Sequence, residues 1–162
     1  MKAESNLIFV RIDDRLIHGQ VVEGWLPYLK PLAVVVVSDA AAGDPVQEAL
    51  MSLALPASYD LYITTSAKAP ARVLALAAEG KRVLALAPGP REALALLRGG
   101  VTVRSINVGG LHHSAGRVQL GKALFLSPED KDALRAIMEL GVVLEGRAVP
   151  GERPAGFADI LC

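Results

Sequence analysis

Cysteine is almost missing from this chain of 162 residues, and the one it has, Cys162, stands last. No internal disulfide can form, and no zinc-type spacing surrounds that thiol. Aromatic residues make up only 4%, and neither sign of charge dominates, with 17 Lys and Arg against 17 Asp and Glu. The charges are spread along the chain without the basic stripe that counters nucleic-acid phosphates, so nucleic-acid binding is not expected. Long apolar runs are lacking too. The best, residues 32–37, has the length of a buried strand and falls well short of the roughly 18–20 residues that span a bilayer. Residues 1–6 carry no basic region followed by an apolar stretch, so no signal peptide is read and the cytoplasm is the expected compartment.

What the chain has in abundance is small aliphatic side chains: 52% of it is hydrophobic, rich in Ala and Leu. One core serves a chain of this length, so residues 1–162 are read as a single domain. Short runs of Val, Ile and Leu alternate with helix-length segments, which argues for βα units. The expected strands are 7–12, 33–38, 60–64, 82–87, 105–108, 123–126 and 142–147. Several are apolar at consecutive positions, as strands buried on both faces must be. The fold class is therefore α/β: a mainly parallel sheet of about seven strands with helices on both faces, in which the last strands can be antiparallel.

Helix signals fill the gaps. Asp44 followed by Pro45 and Gln47 predicts a helix to about Leu53. Ser127, Pro128, Glu129 and Asp130 repeat that logic, and Gly141 closes the helix they open. Gly80 and Gly99 end two more, over 73–79 and 91–98. In 20–30, Val21, Val22, Trp25, Leu26 and Leu29 recur at helical spacing, which makes Trp25 a core or contact residue rather than a platform for a ligand. Residues 148–162, with Pro150, Gly151, Pro154 and Gly156, are read as a tail lying on the domain.

The most unusual stretch lies between the first strand and the first helix: Arg11-Ile12-Asp13-Asp14-Arg15-Leu16-Ile17-His18-Gly19-Gln20. In an open parallel sheet such a loop leaves the carboxyl edge, where ligands bind beside the switch in strand order. A histidine just before a helix also sits where backbone N–H groups and the helix dipole welcome an anion. A neutral imidazole nitrogen is a competent nucleophile near neutrality. Arg15 can neutralise a moving phosphoryl group with planar, paired donors. Asp13 or Asp14 can accept from the imidazole N–H and leave the other nitrogen to attack, and Arg11 can balance these acids.

The string from Arg11 to Val21 resembles the signature around the phosphorylated histidine of IIB components in mannose/fructose/sorbose-type sugar phosphotransferase systems. The resemblance continues through Gly24-Trp25, Asp44-Pro45, Asn107-Val108-Gly109-Gly110 before His112, and Gly141-Val142. It implies that His18 takes a phosphoryl group from phosphohistidine on a IIA partner and passes it to a sugar held by membrane IIC and IID components. It further implies help from Arg15 and from an arginine near the last strand, for which Arg147 is the candidate. A location peripheral to the membrane, through those partners, and room for self-association follow from it too. No cofactor, metal or nucleotide is called for, because exchange between two histidines is nearly isoenergetic and needs mainly positioning and charge screening. His18, Arg15 and Asp14 are thus the expected catalytic residues. Arg11, Asp13, Gly19, Gln20, Asp39, Gly109, Gly110, His112 and Arg147 are the expected phosphoryl- or partner-binding ones.

Departures and decoys accompany that reading. Residues 38–43 are less polar than the family pattern, and His113 follows His112 where an aromatic residue is expected. The run from Gly116 to Ala123 has the outline of a P-loop, yet Ala123 stands where a magnesium-binding Ser or Thr is needed, so no nucleotide site is expected there. His112 and His113 are adjacent and would point to opposite faces of a strand, which speaks against a metal pair. Two other functions compete: a regulatory module of the same fold that senses phosphorylation without feeding a transporter, and a small-molecule binder without phosphoryl chemistry.

Overall fold

Alternation within the first strand sets the plan of the molecule. In β1 (Ile8–Asp13), Ile8, Val10 and Ile12 join an apolar cluster on one side of the sheet, while Phe9 stacks at 5.2 Å on Trp25 on the other. A strand sends successive side chains to opposite faces, so Arg11 and Asp13 share the Phe9 face. The computed structural model that shows this describes residues 7–112, 118–121 and 124–157, with backbone alone at 118–121.

The chain then runs through α1 (Gln20–Trp25), α2 (Leu26–Leu29), β2 (Ala33–Val37), α3 (Pro45–Ala54), β3 (Asp60–Thr64), α4 (Ala69–Ala78), β4 (Val83–Ala87), α5 (Pro90–Arg98), β5 (Ser105–Gly110), β6 (Val118–Gly121), β7 (Leu124–Leu126), α6 (Pro128–Glu139), β8 (Val143–Gly146) and β9 (Ala155–Gly156). Seven strands form the main sheet in the order β3-β2-β4-β1-β5-β8-β9. All neighbours are parallel except β8 and β9. The α/β class, with helices on both faces and an antiparallel strand at the end, is as the sequence leads one to expect. Two strands go beyond that reading: β9 lies in what was taken for a tail, and β7, the described part of the strand expected over 123–126, pairs with β6 in a separate antiparallel hairpin rather than entering the sheet. The P-loop-like run falls partly in that hairpin, at Val118–Gly121; its remaining residues, 116–117 and 122–123, lie outside the described residues, as do His113 and Cys162.

The two faces are covered by different helices. Buried residues of α4, α5 and α6 (Val73, Leu76, Leu94, Leu96, Leu134, Ile137) pack with Val10, Val35 and Val108. On the other side, Val21, Leu26 and Met51 pack with Val34, Val36, Leu84 and Leu86. After β1 the chain crosses to β2 on one side of it, and after β5 the next sheet strand, β8, lies on the other side. Their connections diverge, so β1 and β5 flank a crevice at the carboxyl edge of the sheet.

Helix starts follow the local chemistry. Asp44 accepts from the N–H groups of Val46 at 3.0 Å and Gln47 at 3.3 Å, with Pro45 opening the helix. Pro70 in the first turn lets α4 begin four residues earlier than 73–79 suggested. Ser127 and Asp130 form a reciprocal capping box, each side chain accepting from the other's N–H, at 3.0 and 2.9 Å. Ser127→Ala should therefore cost about 1 kcal/mol, read as a lowered urea midpoint at unchanged slope. Most of the segment 20–30 is helical, but α1 is wound as a π-helix, whose end shows the five-residue step in the bond from Leu26 N–H to the Val21 carbonyl. Widened turns of this kind occur frequently at functional sites.

Candidate functional site

The loop that follows β1 is anchored from below. Leu16 and Ile17 are buried among the apolar residues under α1, and Leu16 adopts a left-handed backbone with φ 58°. A branched side chain pays roughly 1–2 kcal/mol for that conformation, so the burial holds the turn in a shape it would not take alone. His18 is thereby presented at the rim with its ring 16% exposed, directly before Gly19, the residue that opens α1 without a side-chain cap.

Asp13 is the centre of the arrangement. Its carboxylate is fully buried, and its Oδ2 accepts from Arg11 Nη2 at 2.9 Å, Arg15 Nη2 at 3.0 Å and His18 Nε2 at 3.1 Å. Oδ1 accepts from the backbone N–H and the Nε of Arg15, both at 3.1 Å. Burial on its own would raise this carboxyl's pKa; the hydrogen bonds from His18 and Arg15 and the charge of Arg11 outweigh it and hold the group well below the ordinary aspartate range. An ionised carboxylate only accepts, so Nε2–H of His18 is the donor of this bond and Nδ1 is the ring nitrogen left outside it.

Arg15 is held in place and still reaches outward. Its side chain is 37% exposed, and Nη2 also donates to Gln20 Oε1 at 2.8 Å. Nη1 takes part in none of these bonds. Gln20 thus orients Arg15, which is the clearest role the geometry gives it.

The neighbouring acid serves the other loop. Asp14 was expected to act on His18, but its carboxylate accepts from the backbone N–H of His112 at 2.6 Å and from Nδ1 of the same ring, and its own N–H donates to the Gly110 carbonyl at 3.1 Å. The pleat explains the correction: Asp13 ends the strand on the face that carries the His18 loop, whereas Asp14 has turned toward β5. Asp14 therefore ties the β1 loop to the β5 loop. The ring of His112 lies 2.9 Å from where a Cβ on Gly110 would sit, and Arg15 Nη2 lies 3.6 Å from the same point. Gly110 makes room for this meeting of side chains.

Arg11 is corrected more sharply, because it is fully buried and cannot touch a phosphoryl group or a partner. It donates to Asp13, to Asn107 Oδ1, to the Arg147 carbonyl at 2.9 Å and to the Ala148 carbonyl at 3.1 Å. Gly109 belongs to the same seat. A Cβ there would fall 2.0 Å from Arg11 Nη2, so this glycine makes way for a guanidinium rather than for phosphoryl oxygens. The β1–β5 register shifts between Ile12 and Asp13, leaving Gly109 as the extra residue on β5.

Arg147 follows β8, and its guanidinium is turned to Glu145, at 2.8 Å from Nε and 3.0 Å from Nη2, and lies 5.2 Å from the Trp25 ring. Trp25 is buried, as its spacing suggests, and its Nε1 donates to the Ala148 carbonyl at 2.9 Å. Asp39 does not join the site. Its carboxylate accepts from Ser66 N–H at 2.8 Å, and β4 separates its strand, β2, from β1. The residues that sequence reasoning missed are Asn107 and Glu145, which extend the buried network from Arg11 to Arg147; a polar residue inside an otherwise apolar strand was the available signal.

Asp13, Asp14 and His112 bring ligand-type atoms within 4.8 Å of one another. Both Asp13 oxygens, however, already accept from Arg11, Arg15 and His18. The donors thus occupy both oxygens of Asp13, which leaves this group of atoms little capacity for a cation.

Residues 7–162 match the family model for the sorbose subfamily IIB component of the phosphotransferase system. The chain is 34% identical, over 96% of its length and 99% of the relative's, to the N-acetylgalactosamine-specific phosphotransferase enzyme IIB component 2 of Escherichia coli K12. It is 32% identical to the mannose-specific EIIAB component of the same organism, covering 93% of this chain and 47% of that one. The crystal structure of the IIBSor domain of the sorbose permease from Klebsiella pneumoniae superposes with a TM-score of 0.88 at 32% identity, covering 95% of each chain.

Proposed function

From the membership of this chain in the sorbose-type family of phosphotransferase-system IIB components, we propose that it is a phosphoryl carrier that works through Nδ1 of His18. The observation that carries this reading is the bond from His18 Nε2 to the buried, ionised Asp13, because it leaves Nδ1 as the nucleophile at the rim of the sheet. In the first transfer Nδ1 attacks the phosphorus of a phosphohistidine on a IIA protein. The new N–P bond forms as the donor's N–P bond breaks, and the donor imidazole leaves. His18 keeps its Nε2 proton throughout, so the ring gains positive character, which Asp13 stabilises. Arg15, already braced by Asp13 and Gln20, offers Nη1 to the phosphoryl oxygens; Gly19 at the start of α1 and the Gly110–His112 turn frame the same space.

In the second transfer the group passes to a sugar held by the membrane components IIC and IID. The fused IIA and IIB parts named in the mannose-specific relative support the choice of donor. Among the described residues no helix is long and apolar enough to cross a membrane, so contact with the bilayer falls to those partners.

The test is to incubate the chain with a phosphorylated IIA protein and localise the product by mass spectrometry. One acid-labile, base-stable group on residue 18 is expected; modification elsewhere, or none, would refute the proposal. Arg15→Lys should leave the fold intact, since the side chain is partly exposed, yet slow transfer roughly 10- to 100-fold because one ammonium cannot brace on Asp13 and Gln20 and reach the phosphoryl group at once. Quench-flow measurement of phosphoryl uptake reads that difference.

A further inference from the structure

We infer that Arg11 is a positioning residue of this site: by joining Asp13 to the chain segment at 147–148, it fixes the carboxylate that orients His18, without meeting the phosphoryl group. The inference rests on the reading of His18 as the acceptor. Three features support it.

First, each terminal nitrogen of Arg11 bridges the site and that segment. Nη2 donates to Asp13 Oδ2 at 2.9 Å and to the Ala148 carbonyl at 3.1 Å; Nη1 donates to Asn107 Oδ1 and to the Arg147 carbonyl at 2.9 Å. The oxygen it holds is the one that accepts from His18 Nε2.

Second, the surroundings are shaped to this guanidinium. Gly109 has its backbone where any side chain would collide with Arg11 Cζ and Nη2. The Trp25 ring lies 5.1 Å from Cζ, and Trp25 Nε1 donates to the same Ala148 carbonyl. Residue 148 cannot move without disturbing two donors, one of which is the counter-charge of Asp13.

Third, the choice of side chain is specific. Four acceptors are spread over two nitrogens of one rigid plane, an arrangement that a lysine ammonium does not match. A buried charge is also an expensive way to gain stability alone, since apolar packing serves that end as well or better.

The test uses the intact chain with two substitutions, Arg11→Lys, which keeps the charge, and Gly109→Ala, which keeps the arginine but displaces it. In unphosphorylated wild type, 15N-edited spectra should show a downfield His18 Nε2 proton protected from exchange by Asp13. Both variants should lose that signal to exchange. Their maximal rate of uptake from phosphorylated IIA protein should fall about tenfold or more, while the donor concentration giving half-maximal rate stays unchanged. A folded variant that keeps both the signal and the rate would overturn the assignment. So would failure of both variants to fold, which would make Arg11 a purely structural residue. A wild type that takes up no phosphoryl group would defeat the reading of His18 instead, and the Nε2 proton would still report on Arg11.

Discussion

A His18→Ala variant is expected to take up no phosphoryl group from a phosphorylated IIA protein under conditions in which the wild type is fully labelled. The chain has three histidines, at 18, 112 and 113. Of the two in the described residues, only His18 combines an Asp13-bound Nε2 with a place beside Arg15; His112 holds Asp14 through Nδ1 instead. Removal of the ring deletes the proposed nucleophile and leaves Arg15 braced by Asp13 and Gln20, so binding without covalent capture is the expected remnant of function. The fold should survive, because Asp13 retains its donors from Arg11 and Arg15 and the lost hydrogen bond to a charged group is worth about 1.5–3 kcal/mol, less than the stability of an ordinary domain. Labelling of the variant equal to wild type, in a protein with an unchanged circular dichroism spectrum, would remove the assignment.

Asp13→Asn should do more damage to stability than any other single change at the site. Both Arg11 and Asp13 are fully buried as a pair, and removing one charge of a buried pair leaves the other uncompensated at a cost of about 3–5 kcal/mol. For a domain of this size that corresponds to a fall in Tm on the order of 10 °C. Transfer should fall as well, since the ring of His18 would lose the acceptor that orients it. The same pair sets the response of the wild type to acid. Asp13 has a depressed pKa in the folded chain, so its contribution to stability is fully present above the unfolded value of about 3.9 and is lost as pH falls through the folded value. Urea midpoints measured from pH 6 downward should fall below that unfolded value in the wild type. In Asp13→Asn this component of the slope should be missing, and a slope identical in the two proteins would contradict the role given to the pair.

Periodicity made most of the architecture legible. Consecutive apolar residues marked β2 and β4 as strands covered on both faces, and the Asp44-Pro45 and Ser127-Pro128 pairs marked where two helices begin. The site was legible as a segment but not as a geometry. Asp13 looked like a loop residue because β1 was ended at Ile12, and Arg11 was counted with the polar loop although the expected strand contains it; the strand runs to Asp13 and places both on a single buried face. Asp13 and Asp14 are chemically alike, and only the turn between strand and loop decides which one meets His18. The contacts of Arg11 with Asn107 and Ala148 join positions far apart along the chain, which no local pattern encodes. Gly109 was placed among the phosphoryl- or partner-binding residues, when the space it leaves is already filled by Arg11. Asp39 resembled a site residue by its place after a strand, but the strand order puts β4 between β2 and β1.

The strand order carries a consequence for how the molecule comes into being. β1 is made before its sheet partners, β4 and β5, and the bond from Arg11 to Asn107 spans 96 positions. Such non-local pairing forms late and slowly, because the intervening chain must be closed before the contact repays it. A nascent chain that has released only β1 to β4 from the ribosome therefore has His18 but no crevice, and its charged strand face lacks its cover. Competence to carry phosphorus should arrive abruptly, once the segment through residue 148 has emerged, and a truncated fragment ending before β5 should be a substrate for chaperones and proteases rather than for a phosphodonor.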